Sequence, residues 1–393
     1  MNYKIWHPAK IINCKINLPS SKSISNRVLI IQALCENNFT INNLSKSEDT
    51  SVLIKALNQE KEINTGHAGT SFRFLTALLS TLENNEYILN GSDKMNNRPI
   101  GELVKALKKI GANISFINTK HFPPIKIKGK QLVGGKVNIN GEISSQFISA
   151  LLLIAPSLKN GLELHIDGKL VSKSYIKMTL SIMEFFGIKS DWQNNIIAIK
   201  PQKYIGNEYT IENDWSAATF WFQIAALSNS CKITLKNLNE ESIQGDKISK
   251  DIFSKISVDY TFKNGDLILQ KNNKPISFPK TINLINNPDI YQSLKTTLYA
   301  LNIKTKFKGI NNLKYKESNR IVDTDNELEN LITKKIINTH QDHRMAMSFA
   351  PLSLKYGEII IKNSDVVKKS YPNFWKDLNY AGFKIVPVTD LNN

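Results

Sequence analysis

Three stretches of the chain follow one plan. LVKALKKIGANISF (103–116), MTLSIMEFFGIKSDW (178–192) and FWKDLNYAGFKIV (374–386) each read as an amphipathic helix, a glycine and a strand. Gly111, Gly187 and Gly382 stand at the helix ends, where glycine adopts the left-handed C′ conformation without steric cost. Recurrence of this pattern implies a repeated α/β unit made by duplication, rather than one dinucleotide-binding sheet, since no GxGxxG follows the first strand.

At 393 residues and 41% hydrophobic, the chain can bury more than one core, so two or three domains are expected. Its N-terminus lacks a long apolar run, and the most apolar stretch, Phe147 to Ala155, is far below the roughly 18 residues of a membrane helix. The expectation is a soluble, cytoplasmic protein with no membrane partner. Cys14, Cys35 and Cys231 form neither a CxxC pair nor an even set, so they read as buried or idle thiols rather than as a disulfide framework or a zinc site.

The net charge of +17 fits nucleic acid, an anionic membrane or acidic small molecules equally well. The lysines are dispersed rather than gathered into a stripe with aromatics, which argues against nucleic acid. Arginine discriminates better. In a chain dominated by lysine, Arg27, Arg73, Arg98, Arg320 and Arg344 each sit in or beside a polar cluster. A guanidinium offers a rigid fork matched to carboxylate and phosphate, which an ammonium cannot copy. The bland alternative is that these five make structural salt bridges.

Several helices begin alike, with hydroxyl, glycine or basic residues before an apolar run: SKSISNRVLIIQAL, GHAGTSFRFLTALLS, SSQFISALLLIA and QDHRMAMSFAPLSL. A helix start presents free N–H donors and partial positive charge, which suits anions. Ordinary N-capping by Ser, Thr and Asp accounts for any one of them. It accounts less well for Lys22, Arg27, Arg73 and Arg344 lying within a turn or two of the starts.

Nine segments, in order, resemble the signature stretches of the 5-enolpyruvylshikimate-3-phosphate synthase family: LPSSKSISNR, GHAGTSFRFL, NNRPIGELVKAL, EISSQFISALL, LVSKSYIKMTL, NNPDIYQSL, YKESNRI, QDHRMAM and KKSYPNF. The resemblance runs from about Leu18 to Phe374. It implies a two-domain α/β enolpyruvyl transferase fold, built from repeated βαβαββ units around a central cleft. Residues 21–212 then form the shikimate-3-phosphate-side domain, and 1–20 with 213–393 the second. The implied reaction moves the carboxyvinyl group of phosphoenolpyruvate to the 5-hydroxyl of shikimate 3-phosphate, in the route to chorismate and aromatic amino acids. No cofactor and no metal are implied, the two small-molecule substrates are the partners, and the protein is expected to be a monomer.

Residue roles follow from the resemblance position by position. Lys22, Ser23, Arg27, Ser144, Ser145, Gln146, Ser172, Tyr175, Asp289, Asn312 and Lys316 meet shikimate 3-phosphate, with Arg27 suited to its carboxylate and the three serines to its phosphate. Lys22, Gly69, Arg98, Gln146, Arg320, Arg344 and Lys369 meet phosphoenolpyruvate. Asp289 and Glu317 match the family's base and acid, with Lys22 and Lys316 assisting. Arg73 is read as support for the site or as packing, and His67, where the family has Asn, as a phosphoenolpyruvate contact or a neutral cap. His343 is read as support for Arg344, and Asp214 as a helix cap. Without the resemblance, Asp289 in NNPDI reads as a helix N-cap and KES as a solvated charge run.

The chain departs from the family at Ser20, His67, Ser174 and Trp215, and more seriously at 321–341, where one repeat looks shortened. If that loosens Arg344 relative to Arg320, activity falls, so a binding-only relative is one rival. Another is the sister carboxyvinyl transferase acting on UDP-N-acetylglucosamine, whose usual loop cysteine is missing from Lys94–Pro99. A nucleic-acid-binding protein is a third.

Overall fold

The computed structural model describes residues 1–58 and 61–388; the end of the second expected domain, 389–393, lies outside the described residues. The chain divides into two compact units. One comprises Lys22–Ile211, and the other Met1–Ser21 together with Glu212–Asn393. The two connecting stretches run beside each other: Ser21 N–H donates to Glu212 O at 2.8 Å, Asp214 N–H to Pro19 O at 2.8 Å, and Ser20 bridges Asn213.

One topology recurs in both units. A strand, a crossover helix, a parallel strand, a second helix and a hairpin close into a four-stranded sheet, with the last hairpin strand inside. In Lys22–Ile211 the first copy comprises Glu62–Asn64, helix Gly69–Thr81, Glu86–Asn90, helix Gly101–Lys109 and the hairpin Asn113–Phe116 with Ile125–Lys128. The second comprises Gly135–Asn140, helix Ser145–Ile154, Leu162–Asp167, helix Lys173–Phe185 and the hairpin Asp191–Gln193 with Ile196–Ile199. Strands joined through a helix pair in parallel, as a crossover requires, and hairpin strands pair antiparallel.

The other unit holds two copies as well, both interrupted. Ile11–Asn17 starts one copy, which resumes after the whole Lys22–Ile211 unit with helix Trp215–Leu227, strand Ser230–Lys236, helix Ser249–Phe253 and the hairpin Val258–Lys263 with Asp266–Lys271. The last copy comprises Ile336–Ile337, helix His343–Phe349, Ile359–Ile361, helix Phe374–Tyr380 and Lys384–Val388. Its inner strand is the chain's own first strand, Asn2–Trp6, where Ile5 pairs with both Ile359 and Ile385. Two further copies are cut down to parallel strand pairs, Ile41–Asn42 with Tyr209–Thr210 and Thr281–Asn283 with Lys306–Lys308. Helix Arg320–Thr333 leads straight into Ile336–Ile337, so residues 321–341 contain no hairpin.

The three glycine helix ends share one hydrogen-bond pattern. Gly111, Gly187 and Gly382 have φ of 107°, 86° and 98°. In each case the glycine N–H donates to the carbonyl three residues back and the next N–H to the carbonyl five back, as Ala112 does to Leu107 at 2.9 Å, Ile188 to Met183 at 3.0 Å and Phe383 to Leu378 at 3.1 Å. This is the Schellman closure of a helix C-terminus. A fourth, at helix Tyr291–Ala300, uses Asn302 at φ 55°, with Ile303 N–H donating to Leu298 O at 2.8 Å.

Burial follows the two periodicities. Ile11–Asn17 alternates, burying Ile12, Cys14 and Ile16. Helix Trp215–Leu227 is apolar all round and forms the middle of its unit's core, with Trp215 and Trp221 almost wholly buried. Asp214 caps it, accepting from Ser216 N–H at 2.7 Å, as its sequence position suggests. Cys14 and Cys231 are buried free thiols, and burial pushes Cys14 up to about 12.

Candidate active site

Within Lys22–Ile211, four helix starts come together around Arg27. Arg27 lies in the second turn of helix Lys22–Leu34 and is 2% exposed. Its Nε donates to Thr179 at 2.8 Å and its Nη2 to Ser149 at 3.1 Å, each in the second turn of its own helix, while its guanidinium lies 5.4 Å from the ring of Phe74 in a third. Because every contact falls at a similar depth from a helix start, the starts of the helices beginning at Lys22, Gly69, Ser145 and Lys173 lie at one level. Gln146 reinforces this, its side-chain amide donating to Thr70 at 2.9 Å.

Among the described residues Arg27 pairs with no carboxylate. It also donates to the carbonyls of Ser23 at 2.7 Å and Tyr175 at 3.4 Å. Burial lowers it to about 10. A buried cation without an opposite charge is expensive to keep, and an anionic ligand would offset that cost. Arg73 and Arg98 adjoin Gly69: a Cβ there would lie 2.6 Å from Arg73 Nη1 and 2.5 Å from Arg98 Nη1. Arg73 Nη1 donates to Gly69 O at 2.7 Å, so it braces the helix start as well as stacking over Phe147. Arg98 Nε is buried with no hydrogen-bond partner among the described residues.

Capping accounts for only some of these starts. Ser144 accepts from Gln146 N–H at 3.3 Å, an ordinary cap, but neither Ala68 nor Ser172 caps its helix with a side-chain bond. Ser172 is also left-handed, with φ 55° and ψ 40°, although it carries a side chain. Lys22 is held by Asp49 at 3.1 Å, and His67 Nδ1 lies 2.6 Å from Ser92 Oγ. Ser23, Ser145 and Tyr175 sit on the helices already described.

The other unit gathers a charged cluster around Arg320, the first residue of helix Arg320–Thr333. Its Nε donates to Asp342 at 2.7 Å, its Nη1 to Asp289 at 2.8 Å and its Nη2 to Glu317 at 2.9 Å. Lys369 Nζ lies 3.0 Å from Glu317, and Lys316 Nζ 3.9 Å from Asp289. Arg344 donates to the Asp289 carbonyl at 2.9 Å and approaches its carboxylate at 3.6 Å. Burial alone would depress Arg320, but Asp342, Glu317 and Asp289 outweigh it and drive its pKa upward. Asn312, in the turn Asn311–Tyr315 that precedes Lys316, is buried.

Two local readings are corrected here. Asp289 does not cap a helix: it lies inside the turn Pro288–Ile290, where Pro288 occupies the first position, and its carboxylate faces Arg320. Lys316 and Glu317 are not a solvated run, since both side chains are largely buried in ion pairs.

Sequence reasoning missed the groups that orient the cations. Asp342 is wholly buried, accepts from Arg320 and from Ser318 Oγ at 3.2 Å, and caps the next helix through Arg344 N–H at 2.9 Å. Its position directly before His343 and Arg344 was the available signal. Asp246 was also missed. It accepts from Ser216 Oγ at 2.5 Å, and burial followed by the charge of Asp289 pushes it up to about 6. Among the described residues, no group of three or more His, Cys, Asp or Glu is placed to hold a metal ion, and no helix is long and apolar enough to cross a membrane.

Repeated α/β sheets carrying clustered anion-binding groups place the chain with the enolpyruvyl transferase fold. An EPSP synthase of Acinetobacter baumannii superposes with a TM-score of 0.78 at 20% identity, covering 98% of this chain and 100% of that one, a likeness of fold. The family model for EPSP synthase (3-phosphoshikimate 1-carboxyvinyltransferase) matches residues 7–64 and 57–378. The 3-phosphoshikimate 1-carboxyvinyltransferase of Bacteroides fragilis strain YCH46 is 40% identical, covering 98% of this chain and 99% of that protein. That of Buchnera aphidicola subsp. Cinara cedri is 34% identical, covering 94% and 95%. The chain belongs to the EPSP synthase family.

Proposed function

We propose that the chain transfers the carboxyvinyl group of phosphoenolpyruvate to the 5-hydroxyl of shikimate 3-phosphate and releases phosphate. The arrangement around Arg320 carries this reading: one guanidinium holds two carboxylates, Asp289 and Glu317, with a lysine beside each. The addition needs a base for the hydroxyl proton and an acid for the methylene carbon of phosphoenolpyruvate.

Asp289 takes the hydroxyl proton as the oxygen attacks the enol carbon. Glu317 delivers a proton to the methylene carbon, giving a tetrahedral adduct; phosphate then leaves as the Glu317 carboxylate takes a proton back from the new methyl group, which restores the double bond. Phosphoenolpyruvate competes with Glu317 for Arg320 and Lys369, and drawing those cations away lets Glu317 carry a proton. Arg344 and Lys369 offset the donor's charges, as do Lys22, Gln146 and Arg98, the last of these beside Gly69. Arg27, Ser23, Ser144, Ser145, Ser172, Tyr175, Asn312 and Lys316 hold shikimate 3-phosphate. That Arg27 pairs with no carboxylate among the described residues supports its share of that role.

Every group this scheme uses comes from one chain, as a monomer requires. Phosphorylated metabolites as the only partners are consistent with a cytoplasmic enzyme that binds no nucleic acid. The sister transferase reading is disfavoured by the cysteine-free stretch Lys94–Pro99.

Phosphorus NMR of the protein with phosphoenolpyruvate and either acceptor tests the proposal. Inorganic phosphate and an enolpyruvyl ether are expected with shikimate 3-phosphate and not with UDP-N-acetylglucosamine. Product from the sugar nucleotide alone would transfer the assignment to the sister enzyme. Tight binding of shikimate 3-phosphate with no phosphate release would leave a binding-only relative.

A further inference from the structure

The shortened repeat poses a physical problem. Asp342 must be held accurately, because it fixes both the Arg320 guanidinium and the start of the helix carrying Arg344. The shortened repeat ends at helix Arg320–Thr333 with no hairpin after it, so Ile336–Ile337, the first strand of the last copy, follows directly and a tight turn leads on to Asp342. His340 and Gln341 in that turn are both left-handed, with φ of 49° and 58°, a conformation unfavourable for residues with side chains.

Helix Arg320–Thr333 supplies the restraint along one face. Arg320, Thr324, Glu327 and Leu331 are spaced as one buried stripe. Arg320 reaches Asp342, and Thr324 Oγ1 lies 3.6 Å from Met345 Sδ. Between them is Glu327, with its side chain 4% exposed. One of its oxygens accepts from Asn338 N–H at 2.9 Å and the other meets His340 Nε2 at 2.8 Å. The turn then closes with Asp342 N–H donating to Thr339 O at 2.7 Å. A buried carboxylate therefore clasps the strained turn from the helix whose first residue is Arg320.

We propose that Glu327 is a positioning residue that ties the last helix of the shortened repeat to the start of the next copy, holding the 338–342 turn so that Asp342 sets Arg320 and Arg344 for phosphoenolpyruvate. The proposal rests on the enolpyruvyl transfer reading for its kinetic readout alone. Glu327→Gln keeps one acceptor and His340→Phe removes the half-exposed partner, so both are milder than Glu327→Ala if the last folds poorly. Glu329→Ala, on the exposed side of the same helix, is the control.

The experiment measures kcat, the KM for phosphoenolpyruvate, the Kd for shikimate 3-phosphate and amide exchange at Asn338 in each protein. Glu327→Ala should raise KM for phosphoenolpyruvate about tenfold or more, since a misplacement of about 1 Å can cost a hundredfold. The Kd for shikimate 3-phosphate should stay within about twofold, exchange at Asn338 should quicken, and the milder variants should fall between. Faster exchange with an unchanged KM would overturn the proposal, and so would equal weakening of both substrates. If the unaltered protein itself releases no phosphate, the transferase reading fails on that control. Glu327 is then judged by exchange and directly measured phosphoenolpyruvate affinity, where unchanged affinity in Glu327→Ala overturns it.

Discussion

At the scale of single residues, the cations differ in how their charge is met. Arg320 is matched by three carboxylates, whereas Arg27 is buried among hydroxyls, carbonyls and rings. Ser149 and Thr179 already bond each other at 2.8 Å, so removing the guanidinium leaves both satisfied. Arg27→Met should therefore raise stability by about 1–3 kcal/mol while abolishing the thermal shift given by shikimate 3-phosphate. A loss of stability on denaturant unfolding would contradict the assignment of Arg27 as a cation kept for its ligand. Asp246 gives the pH prediction. Its folded pKa is raised to about 6, above the ordinary carboxylate value near 4, so the folded state holds the proton more tightly than the unfolded chain. Stability on this account is complete below about pH 4, declines between about 4 and 6, and is lower by up to about 3 kcal/mol above. Asp246→Asn should remove that decline, which melting curves from pH 4 to 8 will show. At this scale the sequence disclosed the cations, because arginine is rare in it, but not Asp342, Asp49 or Asp246. A carboxylate that orients a cation looks like any capping or surface acid until packing brings the two together.

At the scale of elements, helix ends were legible where glycine marked them and hidden where it did not. Gly111, Gly187 and Gly382 all close their helices, but Asn302 makes the same closure with a residue that also suits ordinary turns. Alanine substitution separates backbone strain from crowding. At Gly111 an added Cβ meets nothing closer than 3.5 Å, so Gly111→Ala should cost about 1 kcal/mol, from the positive φ alone. At Gly382 it would lie 2.8 Å from His7 Nε2, whose ring is held by Ala381 O at 3.2 Å, and at Gly187 2.8 Å from Ile205 Cδ1. Both should cost more, by roughly a further 1 kcal/mol. Equal losses at all three sites in urea unfolding would show that crowding adds nothing.

For the whole molecule, duplication could be read from periodicity, but the way the copies are threaded could not. One copy is opened by insertion of the Lys22–Ile211 unit, and another borrows Asn2–Trp6 from the opposite end of the chain. Such pairings join residues hundreds of positions apart, and local pattern carries no information about them. The strand pairs that stand for shortened copies are two or three residues long, too short for alternation to register. What the fold accomplishes is to bring Asp289, Glu317, Arg320, Arg344 and Lys369, from four separate segments, into one charged cluster. The most direct test of that cluster's role is steady-state phosphate release from phosphoenolpyruvate, with and without shikimate 3-phosphate, in the unaltered chain and in Asp289→Ala. The account predicts release that needs both substrates and falls by at least about a hundredfold in the variant. Release that proceeds without shikimate 3-phosphate, or survives loss of Asp289, would contradict it.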